Sequence, residues 1–380
     1  MARAETKPTA AAKPDVLREP AEILFAAELE ALAKADKGAR PDGWRLSPKA
    51  VETYILGGEA GGTTISPKYV GSKRLVQIAI ASLATDRALL LIGEPGTAKS
   101  WLSEHLTAAI CGDSLTLVQG TAGTTEEQVR YSWNYALLLA EGPSERALVP
   151  SPVHHAMTQG KIVRFEEVTR CPAEVQDALI TILSEKVLAV PELGQHVHAR
   201  RGFNLIGTAN TRDRGVNDMS AALKRRFNIV VLPVPDDLET EVAIVMKRVG
   251  EIGSQLKLPA PPPAEAQVAR VVQIFQELRK GQTLDGKQKV KPPSSLLSTA
   301  ECISLMGSGM ALAGHFGSGK VDDRDVAAGL HGAVLKEDTK DLAAWTEYLE
   351  NIVKKRGKEW EGLYKACKEL LPAQDAPAKK

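Results

Sequence analysis

The chain has 380 residues, 43% of them hydrophobic, enough to bury a full core and to build two or three domains. Its 48 Lys and Arg stand against 47 Asp and Glu, so there is no cationic surplus to track a nucleic acid backbone, which argues against nucleic acid as the main substrate. Cys111, Cys171, Cys302 and Cys367 form no CxxC pair, no apolar run nears the roughly 20 residues of a membrane span, and the start lacks a signal peptide's apolar stretch; reduced thiols, no membrane partner and a cytoplasmic location are expected.

Residues 1 to 16 are polar, carry Pro8 and Pro14, and are expected to be disordered, as is the tail 372–380. Phe25, Leu29 and Leu32 recur at helical spacing between Ala21 and Asp36, and Ser47 followed by Pro48 marks the start of a second helix that Gly57 and Gly58 stop. The glycine-rich stretch Gly57 to Gly62 is expected to be a hinge or linker, closing an N-terminal region 1–62. A helix from Ser72 to Leu83 is predicted to bury Leu75, Ile78, Ala79 and Leu83. Five apolar runs then read as strands: Ala88 to Ile92, Leu115 to Gln119, Ile162 to Glu166, Phe203 to Ala209, and Asn228 to Leu232. Helical segments separate most of them, which predicts an α/β doubly wound parallel sheet covered on both faces over 63–236. From Asp237 to Leu371 only helical periodicities remain: about 238–256, 265–280, 296–313, 322–335 and two more. This predicts an all-α domain over 237–371, with Trp345, Leu349, Ile352, Trp360, Leu363, Tyr364, Cys367 and Leu371 as core and Lys354-Lys355-Arg356 as a solvated face or turn.

The chemistry centres on Gly93, Glu94, Pro95, Gly96, Thr97, Ala98, Lys99 and Ser100, between the first strand and an amphipathic helix. In that context the loop and helix N-terminus form an anion cradle, Lys99 reaches the β and γ phosphates, and Ser100 ligates Mg²⁺. Ala98 stands where glycine is usual. The strand Ile162 to Glu166 ends in two acids, Glu166 for the Mg²⁺ shell and Glu167 to polarise the lytic water. Glu replaces the commoner Asp at the first, a change that magnesium's retained waters can absorb. Asn210 closes the fourth strand, where it can hydrogen-bond the γ phosphate and the water. Arg225 and Arg226 end a helix before the fifth strand; a basic last turn suits the helix dipole, and the functional alternative is an arginine finger for a neighbouring subunit. His154, His155, His196 and His198 lack the carboxylate or cysteine spacing of a further metal site.

Taken together, GEPGTAKS, the stretch FEEVTRCPAEVQDALITILSEK, GTAN and LKRRF resemble AAA+ ATPases, and among them the MoxR-type branch, over about Ser66 to Leu335. The resemblance implies strand order 5-1-4-3-2, a C-terminal α-helical lid, ATP and Mg²⁺ as ligands, and a homo-oligomeric ring, commonly hexameric. It implies Lys99 and Ser100 at MgATP, Glu166 and Glu167 as the acidic pair, Asn210 as sensor 1, Arg226 as the finger and Arg225 as its reserve. It places a hairpin at Lys186 to Arg201 and a helix-2 insert within Gly123 to Gln159, both candidate partner-facing elements. Ala before the P-loop lysine is common in that branch. The lid's usual sensor 2 arginine is missing from Pro293-Ser294-Ser295-Leu296-Leu297. Members often act as chaperone-like remodellers of protein clients, frequently beside von Willebrand factor A domain proteins. Two other readings stay open: a nucleotide-gated scaffold with little turnover, and a GTP-using motor subunit of a restriction-like complex, although no NKxD motif is present.

Overall fold

Parallel strands buried on both faces draw on runs that are mostly apolar, and the five runs supply them, with Arg164, Glu166, Asn204 and Thr208 as buried polar exceptions. A computed structural model describes residues 16–210, 219–294, 297–336 and 339–371; residues 1–15 of the start read as disordered, and the tail, lie outside these. In it the runs form β1 (Ala88–Gly93), β2 (Leu117–Gln119), β3 (Ile162–Glu166), β4 (Asn204–Asn210) and β5 (Phe227–Val231). All pairings are parallel and the order is 5-1-4-3-2. Asn210 pairs with Gly93, and Gln119 with Glu166. The register therefore gathers the loop after β1, the acids after β3 and the end of β4 along the carboxyl edge of the sheet, where ligands of such folds bind.

The N-terminal region is part of this body. Helix α1 (Pro48–Leu56) starts as predicted, with the Ser47 hydroxyl accepting from the Ala50 N–H. The helix read from Ala21 to Asp36 is interrupted at Phe25, giving Ala21–Leu24 and Ala26–Ala35. Leu29, Leu32 and Tyr54 share one core with Leu89, Leu91, Leu102 and Leu106. The glycine stretch read as a hinge is instead an antiparallel hairpin, Gly58–Ala60 against Thr63–Ile65, because the β-branched Thr63, Thr64 and Ile65 complete a second strand. In α2 (Lys73–Leu83) the buried stripe is Val76, Ala79, Ile80 and Leu83. Ile78 is exposed and Leu75 half-buried, since the 76/79/80/83 set makes the tighter 3.6-residue stripe. Helix α3 (Lys99–Cys111) follows the P-loop and α4 (Ala173–Glu185) follows the acids.

The insert expected within 123–159 is a hairpin, Tyr131–Trp133 with Leu148–Pro150, carrying a short helix Tyr135–Glu141. A second hairpin, Val187–Val190 with Gln195–His198, lies where the resemblance placed one. After β5 the chain is helical: α5 (Leu238–Gln255), α6 (Glu265–Lys280), α7 (Thr299–His315), α8 (Asp323–Val334), α9 (Thr339–Asn351) and α10 (Glu361–Glu369). These helices build a core of their own, which includes Trp345, Leu349, Trp360, Leu363 and Cys367. Arg356 is a correction to the solvated reading of its run: it pairs at 2.6 Å with the buried Glu277, which also accepts from the Tyr348 hydroxyl at 2.7 Å. A carboxylate inside the helical core demands that partner. Among the described residues no helix is long and apolar enough to cross a membrane.

Candidate nucleotide site

The loop after β1 turns back over the sheet edge because Gly96 has φ +81° and Ala98 φ +63°. Left-handed backbone is costly for alanine, which is why glycine is usual at that position. At Gly96 a Cβ would lie 2.5 Å from the Ser298 side chain, so the lid closes directly against the loop. The Lys99 ammonium donates to the carbonyls of Gly93 (3.0 Å) and Glu94 (2.8 Å) and is buried within the loop it serves.

Glu166 is almost enclosed, and every contact is chemically specific. Its Oε2 accepts from Ser100 Oγ at 2.6 Å and Thr208 Oγ1 at 2.8 Å; its Oε1 accepts from Ser103 Oγ at 2.6 Å and the Arg164 guanidinium at 2.8 Å. Burial alone would push this carboxyl up, but Arg164 and the three hydroxyls outweigh it and hold the pKa below the usual glutamate value. Glu167 follows in the left-handed conformation, φ +56°, a strained backbone of the kind that gathers at functional sites. Its N–H donates to Thr208 Oγ1 at 2.9 Å, its Oε1 accepts from Asn210 Nδ2 at 3.0 Å, and its Oε2 pairs with Arg170 Nε at 2.6 Å. Gly120 lets this turn pass: a Cβ there would sit 2.4 Å from the Glu167 carbonyl oxygen.

Pro95 to Ser100, Glu167 and Asn210 face one cavity of about 410 Å³, a volume suited to a nucleotide. Its other walls come from Lys68, Tyr69 and Val70 and from the lid residues Lys247, Arg248 and Ile303. Ser100 and Glu166 form the donor set that a divalent ion beside a triphosphate takes, a hydroxyl backed by a carboxylate, so the residues present fit Mg²⁺. Arg225 and Arg226 do not line the cavity. Arg226 is half-buried, donating to Ser184 Oγ at 2.7 Å and the Ala222 carbonyl at 2.9 Å, whereas Arg225 is exposed.

Sequence reasoning missed Arg164, Ser103, Thr208 and the lid cations. Thr208 stood inside the GTAN stretch without a role. Lys247 donates to the Pro67 carbonyl at 2.5 Å, and the Arg248 guanidinium stacks 4.0 Å from the Trp101 ring centroid. The lid thus presents cations to the cavity from α5, while Ser295 and Leu296 of the expected sensor 2 stretch lie outside the described residues.

Residues 88–227 match the AAA domain (dynein-related subfamily), and residues 239–373 match the YehL-like AAA+ ATPase C-terminal domain. The uncharacterized protein YehL of Escherichia coli is 41% identical over 357 residues, covering 92% of this chain and 96% of its own length. The uncharacterized protein SH1500 of Staphylococcus haemolyticus is 24% identical, over 64% of this chain and 88% of its own. Among solved structures, NtrX from Brucella abortus in complex with ADP is similar over 78% of this chain and 64% of that chain, with 14% identity and a TM-score of 0.48.

Proposed function

The chain belongs to the YehL-like AAA+ ATPases, MoxR-type in its motifs, and on that premise we propose that it binds and hydrolyses MgATP and couples turnover, in a ring of its own copies, to remodelling of a protein client in the cytoplasm. The observation that carries the reading is the 2.6 Å contact of Ser100 Oγ with Glu166 at the edge of a cavity that also holds Lys99, Glu167 and Asn210. Ser100 and Glu166 would hold Mg²⁺, which when bound neutralises phosphate charge. Lys99 supplies a fixed positive charge to the β and γ phosphates, and the loop N–H groups complete the cradle. Glu167 polarises the lytic water while Asn210, already bonded to it, fixes its carboxylate.

In this reading the finger comes from a neighbouring copy. The exposure of Arg225 favours it over Arg226, whose guanidinium is engaged within its own chain. The two partner-facing hairpins and the client, von Willebrand factor A domain proteins among the candidates, belong to the same proposal. Glu167→Gln is expected to lower ATP turnover at least about 100-fold while changing ATP affinity only a few-fold. Unchanged turnover in that variant would sink the assignment. Light scattering with and without ATP tests the ring, and ATP-dependent assembly with negligible hydrolysis would favour the scaffold reading instead.

A further inference from the structure

Arg164 lies two positions before Glu166 on β3, so the two side chains share one face of the sheet. A central parallel strand ordinarily places an apolar residue there. The Arg164 side chain is only 8% exposed and the Glu166 side chain 5%. All three of the Arg164 guanidinium nitrogens donate: Nε to Ser103 Oγ at 3.1 Å and Glu166 Oε1 at 3.2 Å, Nη1 to the Ser114 carbonyl at 2.9 Å, and Nη2 to the Ser100 carbonyl at 3.1 Å and Glu166 Oε1 at 2.8 Å. The carboxylate is thereby divided. Oε1 belongs to Arg164 and Ser103, and Oε2 is the oxygen bonded to Ser100 and Thr208.

Of the two acids, Glu167 pairs with Arg170 and Glu166 with Arg164, while the Lys99 ammonium donates to the Gly93 and Glu94 carbonyls. A buried carboxylate left with no cation beside it would draw in free divalent metal. With Arg164 in place Glu166 is compensated before any ligand arrives.

We propose that Arg164 is a positioning residue that fixes the Glu166 carboxylate and makes metal entry conditional on nucleotide: the centre takes no free Mg²⁺, and the ion enters only with a triphosphate. This rests on the nucleotide reading above and names how that site is regulated. It also explains how glutamate serves in place of aspartate, since the fork of Arg164 and the Ser103 hydroxyl hold the longer side chain by its far oxygen.

The test is Mn²⁺ binding to the nucleotide-free full chain by electron paramagnetic resonance, for the wild type, Arg164→Gln and Arg164→Lys, with calorimetric MgATP uptake by the wild type as control. The wild type and Arg164→Lys, which keep the charge, are expected to show no saturable Mn²⁺ site. Arg164→Gln is expected to gain one, at least about tenfold tighter than any wild-type uptake. A folded Arg164→Gln chain indifferent to Mn²⁺, or a wild type that takes Mn²⁺ as tightly as that variant, overturns the proposal. Should Arg164→Gln not fold, Glu166→Gln serves: it leaves Arg164 uncompensated, so metal-free ATP in EDTA should bind several-fold more tightly, and unchanged or weaker binding overturns the proposal. Absence of MgATP uptake by the wild type would count against the nucleotide reading, whereas MgATP uptake beside a metal-indifferent Arg164→Gln variant would count against Arg164 alone.

Discussion

His105 joins the N-terminal helices to the P-loop helix, and its environment sets a pH dependence that can be worked out. The ring is completely buried, 4.4 Å from the Trp101 centroid and 5.3 Å from Phe25, and its Nδ1 shares a 3.0 Å hydrogen bond with the Tyr54 hydroxyl. Burial foremost, then the charges of Lys68, Arg248, Arg18 and Arg164, push its pKa down from 6.5 to about 3. A depressed folded value means that the unfolded chain takes up a proton that the folded chain refuses. The stabilisation is therefore complete above pH 6.5 and is lost as pH falls from there toward 3. The slope is roughly 1.4 kcal/mol per pH unit, so stepping from pH 7 to pH 5.5 costs about 1.3 kcal/mol through this one residue. Urea unfolding at the two pH values, for the wild type and His105→Phe, reads that difference directly. Burial also pushes His154 and His331 down, but both proteins carry those residues, so the comparison isolates His105. Identical pH slopes for the two chains would refute the reasoning.

Two further predictions concern backbone strain and the lid. Ala98→Gly removes a left-handed alanine worth about 1–2 kcal/mol and adds unfolded-state freedom worth roughly 0.5–1, so thermal unfolding should show a small gain, and a loss above about 1 kcal/mol would contradict the strain argument. Arg356→Met strands the buried Glu277 carboxylate and should destabilise the helical domain by about 3–5 kcal/mol. Adding Glu277→Gln should recover part of that loss, and a single variant as stable as the wild type would show the pair to be idle.

The features legible in the sequence were those carried by contiguous residues. Apolar runs such as Leu89 to Ile92 and Leu205 to Ile206 must lie inside a parallel sheet, and the loop from Gly93 to Ser100 names its chemistry through local spacing. What escaped depends on partners distant in the chain. Arg164 reads as one charge within a strand, and its meaning comes from Ser103, Ser114 and the Ser100 carbonyl, about 50 to 64 positions away. Arg356 reads as solvated until α6 brings Glu277 against it. Lys247 and Arg248 look like surface charges on an amphipathic helix, and only the packing of α5 over Pro67 and Trp101 turns them into cavity walls. The hairpin at 58–65 was masked by its glycines, which favour a linker reading unless the β-branched Thr63 to Ile65 are weighed against them.

Calorimetric titration of MgATP into the wild-type chain and into Lys99→Ala is the most direct check that the loop and the paired acids serve one triphosphate. The account predicts one saturable site per chain in the wild type and a loss of affinity of about 100-fold or more in the variant, since a charge-assisted phosphate contact disappears. A wild type that takes up no MgATP, or a Lys99→Ala chain that binds it undiminished, would contradict it.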